Sequence, residues 1–177
     1  STAYREFYKI LGDTDTATEA SQLLAKLSRN ERDVNRWTRI AAGVSGTFGD
    51  SLPIEGLIEA SNETVKTAKV TGVLADALNW VGISEDAFNE KLESCSDEGE
   101  RNRLLMDTLT ASYEGAASAF YRNNQELVRA RASQAAMSTV TAKLGSAAQT
   151  AKNWIWKLLG AQEDGSLRAG SALDWLG

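Results

Sequence analysis

A single proline, Pro53, interrupts 177 residues. Proline is the residue that a helix interior tolerates least, at a cost of about 3 kcal/mol against alanine. Its scarcity leaves long stretches rich in Ala, Leu, Glu, Lys, Arg and Gln, and no run of alternating β-branched residues offers a competing strand pattern. The sequence therefore predicts an all-α fold, a multi-helix globular bundle with longer helices toward the C-terminus.

Local signals divide the chain further. Phe7 to Leu11 form a short apolar opening that stops at Gly12, and Thr16-Ala17-Thr18-Glu19 has capping-box spacing ahead of Leu23, Leu24 and Leu27. A second helix is predicted from Glu31 to Thr47, with Val34, Trp37, Ile40, Ala41 and Val44 on one face. Gly43, Gly46 and Gly49 read as helix termination, since no Gly-Lys-Ser/Thr follows them to make a phosphate loop. Pro53 suits the first position of a helix reaching Val70, where the missing amide has no helical partner anyway. A short apolar helix then runs from Val73 to Val81, and Trp37 and Trp80 read as core anchors. Ser84-Glu85-Asp86 supplies a cap and first-turn acids for a helix through Cys95, and Asp97 with Glu100 repeats the capping-box spacing.

Beyond that point the pattern changes. Leu105, Leu109, Tyr113, Ala116 and Phe120 make one stripe, as in a helix packed on a neighbouring globule. Met137, Val140, Leu144, Ala147 and Ala151, continued by Trp154 and Leu158, step by threes and fours as a heptad seam. Such a seam suits a coiled coil with other copies of the chain or close packing within one copy. Past Gly160 the sequence turns polar and Gly-rich. The expected organisation is a helical globular region over 1–95, a long helical region over 96–160 and a polar, linker-like tail over 161–177. Residues 77–82, ALNWVG, are echoed by 172–177, ALDWLG, directly before the end, and this stop reads as the edge of a fragment.

Composition removes most chemistry. With no His at all, imidazole zinc sites and Ser-His-Asp or Cys-His catalysis are excluded. The lone Cys95 permits no intrachain disulfide. A net charge of -5 and the absence of a basic stripe argue against a sequence-specific nucleic-acid binder. Glu55, Glu59 and Glu63, four apart, could be imagined as a carboxylate array, but helical metal sites recruit ligands from several helices, so a solvated face is expected. No catalytic residue, cofactor site or metal site is assigned.

Trp154, Ile155, Trp156, Leu158 and Leu159, flanked by Lys152 and Lys157, have the make-up of an interfacial membrane segment too short to span, or of a helix end that closes a core. A membrane-active helical effector and a helical protein-interaction module are thus the alternative functions.

The runs FGDSLPIEGL (48–57), EASNET (59–64), VTGVLADALNW (70–80) and ISEDAFNEKL (83–92), then ERNRLLMDTL (100–109) and YRNN (121–124), resemble the tail tape measure proteins of long-tailed bacteriophages and prophages. The likeness covers roughly residues 7 to 150. It implies a structural and assembly protein, helix-rich, lying with other copies of itself inside the virion tail after assembly in the bacterial host cytoplasm. It implies that such a protein sets tail length, contacts tail tube and tail-tip proteins, and leaves with the genome, with transient host membrane contact. The resemblance carries no active-site residues. Even wholly helical, this chain would reach only roughly 265 Å at about 1.5 Å per residue. It also lacks the long hydrophobic segments common in that family, so the expectation is a region of a longer ruler.

Overall fold

The computed structural model describes residues 2–27 and 30–144, with side chains described as far as Ala135. Among these residues there are eight α-helices and no strand. They are α1 (Thr2–Leu11), α2 (Thr14–Lys26), α3 (Glu31–Phe48), α4 (Ile54–Thr67), α5 (Val73–Trp80), α6 (Glu85–Glu93), α7 (Glu98–Asn123) and α8 (Gln125–Leu144), with a short 3-10 turn at Gly49–Ser51 after α3. The all-α multi-helix expectation is met.

Four of the helix starts are set by a side chain that takes up an amide left free by the helix. Asp13 caps α2, Asn30 caps α3, Ser84 caps α6 and Asp97 caps α7. At α7 the Glu100 amide donates to the Asp97 cap at 2.8 Å, and Glu100 Oε2 reaches back to accept from the amide of Ser96, one residue before the cap, at 2.8 Å. Two expectations shift. The cap of α2 is Asp13, which accepts from both the amide and the hydroxyl of Thr16, so the helix begins two residues before Thr16. Pro53 stands one place before the first helical residue of α4, and its carbonyl accepts from the Leu57 amide.

The chain divides into two compact units, Ser1–Asn124 and Gln125–Gly177. In the first, α3 and α7 form the most extensive helix pair; α1 packs on α2 and α3, α4 on α2, α5 and α7, and α6 on α5. Phe7, Leu24, Ile40, Leu57, Leu78, Phe88 and Leu109, drawn from all seven helices, are each at most 1% exposed. One core thus runs through the whole unit. The boundary drawn after residue 95 does not coincide with this division, because the stripe on α7 packs into the same core as the earlier helices. Leu105, Leu109, Tyr113 and Phe120 of that stripe are buried, with Ala117 rather than Ala116 completing it.

The glycines of α3 act otherwise than as terminators. Gly43 and Gly46 lie inside the helix. A Cβ on Gly43 would stand 2.5 Å from the Tyr113 carbonyl oxygen and 3.3 Å from the Ala117 amide nitrogen, so α3 and α7 touch backbone to backbone there. Trp37 is a core anchor at 3% exposure, but Trp80 is 66% exposed, contrary to expectation. Helix α5 spans only eight residues, VLADALNW, and Leu74, Ala77 and Leu78 fill its inward face, which turns position 80 outward.

Of the second unit, the structure describes α8, whose last turns carry Met137, Val140 and Leu144 of the heptad seam. Ala147 and Ala151, the Trp154, Ile155, Trp156, Leu158 and Leu159 segment, and the 161–177 tail lie outside the described residues.

Candidate functional site

The most developed polar arrangement in the first unit runs along the α3–α7 seam. Arg36 and Arg39, one turn apart on α3, face Asp107, Thr110, Glu114 and Ser118, which recur at three and four residues along α7. Arg36 pairs with Asp107, and its Nε donates to Thr110 Oγ1 at 3.3 Å. Arg39 grips Glu114 with two bonds, Nε to Oε2 at 2.9 Å and Nη2 to Oε1 at 2.5 Å, and also donates to Ser118 Oγ at 3.0 Å. Its guanidinium carbon lies 5.6 Å from the centre of the Tyr121 ring, a cation–π distance.

The electrostatics follow from this pairing. Hydrogen bonds from Arg39 hold the Glu114 carboxyl below its ordinary value, and the same bonds hold the Arg39 guanidinium above its own. Burial raises the Tyr121 hydroxyl, with a further push from Glu6. Both Arg39 and Glu114 remain substantially open to solvent, so the pair is worth about 0.2–1 kcal/mol at most. Its chemical capacity is to fix the register of two helices, since each charge is already engaged by its partner. The residues missed in the sequence had a visible signal: opposite charges at matched helical spacing on two separate segments.

A second feature is a cleft of about 330 Å³ where the ends of several elements meet, lined by Leu11, Asp13, Ser45, Asp50, Pro53 and Glu55 among others. Asp13 is committed to capping α2. Of the carboxylate row on α4, Glu59 and Glu63 are exposed, as a solvated face requires, whereas Glu55 is partly buried and its Oε2 is enclosed without a hydrogen-bond partner. Among the described residues no group of three or more His, Cys, Asp or Glu is placed to hold a metal ion. Cys95 sits just past the end of α6, where its thiol donates to the Lys91 carbonyl at 3.4 Å.

None of the residues singled out in the sequence as candidate membrane or partner contacts falls within this geometry, since all five lie beyond residue 144. Among the described residues no helix is long and apolar enough to cross a membrane. Compared with protein-family models, with curated proteins and with solved structures, the chain matches none.

Proposed function

We propose that this chain is a helical region of a bacteriophage or prophage tail tape measure protein, a structural and assembly protein that works through the packing and spacing of its helices. The observation that supports the reading is where the resembling runs fall. In chain order they occupy the end of α3, the turn after it, and α4, α5, α6 and α7, the continuous body of the first compact unit. Within those runs Leu57, Leu74, Leu78, Leu92 and Leu105 are at most 1% exposed, so the resembling runs include residues that make the helix packing. On this reading the partners are tail tube and tail-tip proteins and other copies of the chain, inside the tail.

In-frame deletions within the parent gene, with tails measured by electron microscopy, test the proposal. Tails that shorten in proportion to the residues removed are expected. Tails of unchanged length from such deletions would remove the ruler role from this region.

A further inference from the structure

Trp80 ends α5 and is 66% exposed, whereas Phe7, Trp37, Phe88 and Tyr113 of the same unit are buried. The ring is not loose. It packs edge-on to Phe48 at 5.3 Å between centres, Phe48 leans on Tyr113 at 6.4 Å, and the Tyr113 hydroxyl donates to the Ala77 carbonyl at 2.6 Å. An aromatic stack anchored in the core thus presents a tryptophan at the surface. Little rotamer freedom remains to be lost when something binds it, and tryptophan is the side chain most enriched among residues that dominate interface energies.

The charges next to the two rings along the chain are acidic. Phe48 ends α3 and Trp80 ends α5, so two helix C-termini, each with a partial negative charge, meet at this ring pair. Neither last turn contains a basic residue to offset that charge. No Lys or Arg stands between Arg39 and Lys66, or between Lys69 and Lys91, and the two aromatic residues lie in these stretches. Asp76, one turn before Trp80 on the same face of α5, and Asp50, two residues after Phe48, are both exposed. An open indole face in a negative field suits a cation lying on the ring. It disfavours an anionic lipid surface.

We propose that the Phe48–Trp80 corner is a docking site for a basic segment of a partner protein, with an arginine or lysine over the Trp80 indole and its apolar neighbours against Phe48. The inference goes beyond the phage-tail reading and does not depend on it.

The test is fluorescence anisotropy of the full chain with a labelled amphipathic Arg/Leu peptide and its Glu/Leu counterpart. The Arg/Leu peptide is expected to bind and the Glu/Leu peptide not to. Trp80→Ala should weaken binding about tenfold or more, Trp80→Phe should weaken it less, and an Asp50→Lys/Asp76→Lys double variant should weaken it with an altered salt dependence. All three positions are on the surface, so unchanged circular dichroism and melting are expected to accompany these losses. The proposal is overturned if the Arg/Leu peptide fails to bind, if Trp80→Ala binds it as well as the parent, or if the two peptides bind alike. Trp80-dependent co-sedimentation with phosphatidylglycerol vesicles, or a Trp80-dependent dimer in sedimentation, would also overturn it by giving the corner to a lipid or to a second copy.

Discussion

Gly43 on α3 meets Tyr113 on α7 so closely that a Cβ at position 43 would lie 2.5 Å from the Tyr113 carbonyl oxygen and 2.8 Å from its Cβ. A glycine within a helix costs about 1 kcal/mol against alanine, and here that cost is offset by two backbones in direct contact. The same tyrosine reaches on to α5, where the Ala77 carbonyl lies among the last four of the helix and its regular partner, the Val81 amide, bonds to Leu78 instead. One residue of α7 therefore fixes its distance from α3 and caps α5.

Removing only the hydroxyl separates those two roles. Tyr113→Phe keeps the ring in the core and strips the cap from Ala77, which should cost about 1–2 kcal/mol in denaturant unfolding. Burial pushes the Tyr113 hydroxyl up to about 12 from an ordinary 10.0. Above pH 10 the unfolded chain releases this proton before the folded chain does, so stability present below 10 is lost as pH rises toward 12. Tyr113→Phe should show a shallower alkaline decline than the parent; parallel declines would contradict the assignment.

The acid side is set in part by Glu114. Its carboxyl is held below the ordinary 4.5 by hydrogen bonds from Arg39, so its contribution is present above that pH and is lost as pH falls through the lowered folded value. The stability gap between the parent and Glu114→Gln should be open at neutral pH and narrow as pH falls below the ordinary 4.5 and through the lowered folded value. A gap of constant size across that range would mean that Arg39 does not stabilise the charged carboxylate.

At the end of α4, Ala68 adopts φ 59 and ψ 27, a left-handed conformation that its Cβ disfavours, while its amide donates to the Thr64 carbonyl. Ala68→Gly relieves that strain and adds some freedom to the unfolded chain. The net expectation is a gain of about 0.5–1 kcal/mol in thermal or denaturant unfolding. A loss would show that the helix ends differently in solution.

Thr64 is fully buried, and its Oγ1 has no hydrogen-bond partner among the described residues. Valine has nearly the same shape without the unsatisfied hydroxyl, so Thr64→Val should stabilise the unit by about 1 kcal/mol. Destabilisation of similar size would indicate that the hydroxyl is satisfied in solution.

The parts of the fold that could be read in the sequence are those decided within one helical turn. Ser84 and Asp97 were identifiable as caps because each acceptor stands three residues before the amide it binds. Asp13 was missed because two capping patterns overlap there, and the carboxylate prevails over the Thr16 hydroxyl, which itself bonds to Asp13. The role of Gly43 was not legible, since its partner is far along the chain and a glycine near a helix end looks locally like a stop. Trp80 misled for a related reason: in a helix of eight mostly apolar residues, periodicity does not separate the inner face from the outer. The α3–α7 ion pairs had a charge pattern in the sequence, but recognising it required knowing which helices adjoin.

The central claim, that a backbone-to-backbone contact at Gly43 joins α3 to α7 and organises the first unit, is tested most directly by comparing three glycine-to-alanine variants by thermal unfolding. Gly43→Ala forces a Cβ against backbone and should destabilise by about 1–3 kcal/mol. Gly46→Ala meets Phe120 Cβ at an ordinary 3.5 Å, and Gly115→Ala meets nothing within 4 Å. Both should be neutral or stabilising by up to about 1 kcal/mol through helix propensity. If Gly43→Ala melts at or above the parent temperature alongside the other two, the helices do not touch as described and the account is wrong.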